Sequence, residues 1–193
     1  MNILTLDCEY NQPSHKTIQI GAAVYSARTG QLQGTFETYV NPGEPINRET
    51  IGGLTDITAL TGITDRDVQN APDILEAFMM LREFHQKHKV FMNPLVWGAG
   101  VRNDSQLIYD EANAKLPVGS KISNFMGYRV IDVKGLFQSI QIYHNKTVRG
   151  GLAATCQKLG IGFEGEPHRA LTDAMNTFRV WHFLIKQHNV KGY

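Results

Sequence analysis

Apolar residues along this chain first follow a strand-like period and then a helical one. Residues 2–9 form a near-continuous apolar run, Ile3-Leu4-Thr5-Leu6-Asp7-Cys8-Glu9, that reads as a buried strand. Thr17 to Ser26 (TIQIGAAVYS) predicts a second strand, with a turn at Arg28-Thr29-Gly30. Gly34 to Val40 (GTFETYV) alternates and predicts a third, stopped by Asn41-Pro42-Gly43. Short connections between consecutive strands predict an antiparallel meander. The period then changes. Pro72 to His88 carries Ile74, Leu75, Phe78, Leu81 and Phe84 at helical spacing, with Pro72-Asp73 as a start signal. A short strand is expected over Pro94–Gly98, a helix over Asp104–Ala114 and a strand over Tyr128–Val133. Gly135–Tyr143, Leu152–Leu159 and Leu171–Gln187 predict three further helices. A run of strands followed by alternating helices and strands fits an α/β fold, a mixed sheet covered by helices. Without repeats, low-complexity tracts or linkers, residues 1–193 are expected to form one domain.

Composition narrows the class. The 193 residues are 42% hydrophobic, enough for one α/β domain with a sizeable core and too apolar for wholesale disorder. No apolar stretch approaches the roughly 20 residues of a membrane span, so no membrane partner is expected. The apolar start lacks a basic leader and meets acids at once, which argues against a signal peptide. Cys8 and Cys156 are the only cysteines and form no zinc-type cluster; both are expected as reduced thiols in a cytoplasmic protein. Net charge is +1 but unevenly spread. Residues 115–149 hold Lys115, Lys121, Arg129, Lys134, Lys146 and Arg149 against the single acid Asp132. Such a segment suits a phosphate-bearing partner; a solvated surface accounts for it equally.

The candidate chemistry starts from Asp7 and Glu9. Carboxylates do not belong in a buried strand without a reason. Residues two apart on a strand share a face, so these two project side by side. Like charges about 4 Å apart repel by roughly 1 kcal/mol in water and about 4 kcal/mol in a partly buried site. A bound cation would turn that repulsion into attraction. Asp104 lies just after the fourth strand at the start of a helix, where a helix cap is the duller reading. His168 and Asp173 close the set. Five helical steps rotate about 140°, so His168 would approach from the loop behind Pro167 and Asp173 from the helix. An ordinary surface histidine and an Asp173–Arg169 ion pair are the alternatives there. Four carboxylates without a cysteine suit Mg²⁺ or Mn²⁺ rather than zinc. Two such ions can hold the attacking and leaving oxygens of a phosphodiester displacement, with a histidine as the base that deprotonates the attacking water.

These residues, in this order, resemble the DEDDh branch of the DnaQ-like 3′–5′ exonucleases. Asp-x-Glu on the first strand is matched by LDCEY, the second-motif Asp by VWGAGVRNDSQLI, and the His-then-Asp motif by HRALTDA. IQIGAAV, NPGEPI, LTGIT with VQNAP, RVIDV and LAATCQKLGI are further pieces in family order, and the likeness runs from about residue 3 to about residue 185. The stretch ETIGGLTDITALTGITDRDVQNAP looks most like the branch that regulates RNA interference and trims histone mRNA. The resemblance implies a ribonuclease-H-like mixed five-stranded sheet, three strands antiparallel and then two parallel. It implies release of nucleoside 5′-monophosphates from the 3′ end of single-stranded RNA or DNA or of a short overhang, RNA slightly favoured. Asp7, Glu9, Asp104 and Asp173 would hold two divalent ions, Mg²⁺ or Mn²⁺, with His168 as base, and Asp132 would be structural. Two residues depart from the family pattern: Tyr10 follows the first-motif Glu, and Asn103 precedes the second-motif Asp. Both positions lie near the bound 3′ nucleotide in the family. Tyr10 would either stack on a base or be a half-buried loop aromatic, while Trp97 and Trp181 are expected in the core. The rival readings are a DNA proofreading or repair exonuclease, an inactive exonuclease scaffold that binds nucleic acid, and a phosphatase on small nucleotides.

Overall fold

The computed structural model describes residues 1–100 and 102–187. Val101, inside the segment that resembles the second family motif, lies outside them, as do residues 188–193. The sheet has five strands: β1 (Asn2–Tyr10), β2 (Thr17–Ser26), β3 (Leu32–Tyr39), β4 (Val90–Val96) and β5 (Ile131–Asp132). Their spatial order is β3-β2-β1-β4-β5. β1, β2 and β3 are antiparallel neighbours, whereas β4 runs parallel to β1 and β5 parallel to β4. Helices follow as α1 (Ile57–Thr61), α2 (Asp65–Val68), α3 (Ile74–Lys87), α4 (Asp104–Ala114), α5 (Val133–Tyr143), α6 (Leu152–Leu159) and α7 (Ala170–Gln187).

The central strands bury both faces because helices cover both. Leu4, Leu6 and Cys8 of β1 pack with Phe78 and Leu81 of α3 and Ile108 and Tyr109 of α4. Ile3 joins the opposite cluster with Phe137, Cys156, Phe178 and Leu184. The odd-numbered positions of β1 therefore look toward α7, and Asp7 and Glu9 continue that row. The Thr5 hydroxyl donates to the Ala174 carbonyl at 2.7 Å and ties α7 to β1 just before the acids. Gly21, paired with Asp7 across β1 and β2, permits the approach. A Cβ there would lie 2.0 Å from the Leu171 backbone nitrogen, so only a residue without a side chain lets α7 begin against the sheet.

The elements differ from expectation in instructive places. β4 begins at Val90 rather than Pro94, and its register with β1 shifts between Ile3 and Thr5. Asn93 there has φ 75°, a conformation for which Asn is enriched, and the irregularity accommodates Pro94 in the strand. β5 keeps only two of the six expected residues: Asp132 still pairs with Val96 of β4, but its carboxylate caps α5, accepting the Gly135 N–H at 3.0 Å, so the strand gives way to helix at Val133. The short helices α1 and α2 had no expected counterpart. Each starts on a side-chain cap, Asp56 to the Ala59 N–H and Thr64 with Asp67. Trp181 packs against the α7 cluster, as expected.

Candidate active site

The site forms where β1 and β4 end and α7 begins. Asp7 and Glu9 enter from β1 on the α7 side. Asp104 is the first residue of α4, and the cap is its neighbour: the Asn103 side-chain oxygen accepts the Gln106 N–H at 3.1 Å. The capping that might have occupied Asp104 is thereby done by Asn103, which leaves the Asp104 carboxylate for other partners. Tyr10 supplies one, donating its hydroxyl to Asp104 Oδ1 at 2.8 Å. The β1–β2 register shifts between Glu9 and Tyr10, and such irregularities re-aim side chains at the ends of strands. His168 lies in the loop before α7 at φ 61°. Its backbone N–H donates to Asp173 Oδ2 at 3.0 Å, fixing the first-turn carboxylate of α7 beside the loop. Ligand atoms of Glu9, His168 and Asp173 all fall within 4.8 Å of one another. The alternative partner for Asp173 is otherwise engaged: Arg169 reaches the Tyr39 hydroxyl at 3.0 Å and Glu37 at 3.9 Å.

Electrostatics bind these placements into one unit. Burial, followed by the charges of Asp104, Glu9 and Asp173, holds the Asp7 carboxyl well above the ordinary range. Burial, followed by Asp173 and Asp104, pushes Glu9 up to about 8 despite the opposing pull of Arg169. Asp104 is raised to about 6 by burial, against the hydrogen bond from Tyr10. Burial raises Asp173 too, opposed by the His168 N–H. Four acids that resist ionising together, in the absence of a cation, are an incomplete arrangement. Their donor set fits a hard divalent ion: carboxylate oxygens with one imidazole close by. The Cys8 thiol lines the cavity, but burial and the neighbouring acids push it up, so it offers no thiolate to a softer metal.

Asp7, Glu9 and Asp173 open onto a cavity of about 540 Å³, whereas Asp104 touches the set through its charge on Asp7 and Glu9 and does not line the cavity. Trp97 and Phe163 line it, as does the first turn of α6 from Gly151 to Ala154. Trp97 was expected in the core; it does pack against the α7 cluster, and its ring also forms part of the cavity wall. Phe163 and the start of α6 escaped the sequence reading, because neither differs in pattern from ordinary core and loop positions. Asp132 is structural: it caps α5 and accepts the Gly98 N–H at 3.1 Å. A further cation stands near the site without lining it: Arg169 on the His168 loop, whose charge reaches Glu9.

The family model described as Exonuclease (RNase_T) matches residues 4–181. The chain belongs to the exonuclease family. ERI1 exoribonuclease 2 of Danio rerio is 26% identical over 190 residues, covering 88% of this chain and 31% of that protein. This exonuclease chain thus spans about a third of that relative's length. The nuclease domain of 3′hExo, a DEDDh family member solved bound to rAMP, superposes with a TM-score of 0.71 at 19% identity, covering 97% of this chain and 92% of that one. The Mg²⁺- and Mn²⁺-bound form of S. pombe Pop2p gives 0.67 at 18% identity, covering 97% and 83%. The mixed sheet, three strands antiparallel and two parallel, is therefore the ribonuclease-H-like exonuclease fold. No helix among the described residues is long and apolar enough to cross a membrane.

Proposed function

We propose that residues 1–193 form one metal-dependent 3′–5′ exonuclease domain that removes nucleoside 5′-monophosphates from single-stranded ends, RNA ahead of DNA. The observation that carries this reading is that Asp7, Glu9, Asp173 and His168 line one cavity, with Asp104 near enough for its charge to raise Asp7 and Glu9. Asp7, Glu9, Asp104 and Asp173 would hold two Mg²⁺ or Mn²⁺ ions. When bound, such ions supply positive charge for the attacking and departing oxygens of a phosphodiester. The chain's own residues do the rest. The four carboxylates, three of them on rigid β1 or α7 and the fourth at the start of α4, fix where that charge sits. The exposed imidazole of His168 takes the proton of the attacking water, a role that histidine fills more often than any other side chain. Trp97, Leu152 and Phe163 give the terminal nucleotide an apolar wall on which a base can rest. The volume suits a nucleotide, within the usual range for ligand pockets.

The preference for RNA rests on the likeness to an exoribonuclease and to a structure holding rAMP. Two buried free cysteines, Cys8 and Cys156, support work in a reducing compartment such as the cytoplasm. The test is digestion of end-labelled RNA and DNA of one sequence, single- and double-stranded, with Mg²⁺, Mn²⁺ or EDTA. Stepwise shortening from the 3′ end with release of 5′-monophosphates is expected. Shortening of DNA alone would move the substrate to DNA, and released phosphate at unchanged length would replace the exonuclease with a phosphatase. Full-length product under every condition would leave a binding module.

A further inference from the structure

The proposed base sits on an exposed loop in a left-handed backbone conformation, yet it must meet a water molecule to within tenths of an ångström. Something must hold that loop. On one side of His168 the hold is its own N–H on Asp173. On the other side, the next two residues are tied to the far edge of the sheet. The Ala170 N–H donates to Gln19 Oε1 at 3.1 Å, and Gln19 is fully buried. Gln19 Nε2 donates in turn to Glu37 Oε1 at 3.0 Å. The same Glu37 oxygen faces Arg169 Nη2 at 3.9 Å. Arg169 Nη2 also donates to the Tyr39 hydroxyl at 3.0 Å, and its guanidinium carbon stands 5.6 Å from the Tyr39 ring centroid. Gln19 is on β2, Glu37 and Tyr39 on β3, and β3 is an edge of the sheet. Three side chains from two strands thus close a clasp onto the two residues that follow His168.

We propose that Arg169, clasped by Tyr39 and Glu37, is a positioning residue that sets the imidazole of His168. This rests on the reading of His168 as the proton acceptor. A guanidinium suits the task, since its planar fork can satisfy a phenol and a carboxylate at once and stack on the ring. A surface ion pair at 3.9 Å is worth little for stability, so the clasp acts on placement more than on folding.

The test is a cycle of variants on a 3′-labelled RNA oligomer with Mn²⁺. Arg169→Met is expected to lower kcat about tenfold with KM changed less than about twofold, the mark of misplaced chemistry with intact binding. In the His168→Ala background the same substitution should cost nothing more. Tyr39→Phe keeps every charge and carries the test if Arg169→Met does not fold; it should lower kcat in the same direction and leave Mn²⁺ affinity unchanged. In metal-free protein, amide hydrogen exchange over 166–171 should quicken in both variants. Losses that multiply in the double variant would mean that Arg169 acts on the substrate or the acids directly, and would overturn the proposal, as would a parent kcat or unchanged exchange in the single variants. A parent kcat in His168→Ala alone would instead remove the base reading beneath it.

Discussion

Glu9 offers a measurement of the site that needs no substrate. Its carboxyl is pushed from an ordinary 4.5 up to about 8, first by burial and then by Asp173 and Asp104. In metal-free protein the folded state keeps this proton to a higher pH than the unfolded state does. The folded state therefore binds more protons across the window, and stability must fall as pH rises. The contribution is fully present below 4.5 and lost by about 8. A shift of this size corresponds to at most about 5 kcal/mol, and the true loss is smaller because four acids share their protons as a set. For a chain of this length each kcal/mol moves Tm by about 2–4 °C. Glu9→Gln mimics the protonated acid and cannot ionise. In EDTA, thermal melts at pH 5 should be closely similar for the parent and the variant. At pH 8.5 the variant should melt higher, by at least about 3 °C if even a third of the ceiling is realised. Mn²⁺ at pH 8 should restore the parent much more than the variant. Parallel melting curves for the two proteins from pH 5 to 8.5 would refute the account, since Glu9 would then ionise as freely folded as unfolded.

Other outcomes follow from the same geometry. Asp7→Ala and Asp173→Asn should each abolish nearly all oligonucleotide shortening while keeping the parent circular dichroism; parent-rate digestion by either would sink the site. His168→Ala should slow turnover by about 10²- to 10⁴-fold and spare Mn²⁺ affinity, and calorimetry showing lost affinity would make the imidazole a ligand instead of a base. Tyr10→Phe removes the hydrogen bond from its hydroxyl to Asp104 and should weaken Mn²⁺ binding about tenfold, as the loss of an outer-shell partner usually does. An unchanged calorimetric titration would leave Tyr10 a packing residue.

How much of this was legible in the sequence depends on how local each cause is. β2, α4 and α6 appear where the hydrophobic pattern puts them, because period and burial agree over whole elements. α1 and α2 did not show, since helices of five and four residues are too short to display a period and depend on caps and on packing around Ile18 and Ile63. β5 stops at Asp132, one residue before its expected end, where that carboxylate serves a helix and a neighbouring loop at once, a tertiary choice that no strand propensity records. Within the site, the acids stood out because a buried strand should not contain them. Tyr10 did not read correctly as a partner of Asp104: the two are 94 positions apart, and only the register shift after Glu9 aims one at the other. Arg169 looked like a helical partner for Asp173, yet its guanidinium turned to β3, whose edge is 130 positions away in sequence.

Gly21 has a consequence for anyone who would reshape this enzyme. Helix α7 rests on bare backbone there, with a hypothetical methyl falling 2.0 Å from Leu171. The spacing between the sheet and the carboxylate of Asp173 is thus dictated by a group that is missing, and the smallest possible enlargement, a single alanine, would act as a wedge under the floor of the pocket. Directed evolution toward bulkier substrates should accept changes along the Trp97 and Phe163 walls and meet a closed door at position 21.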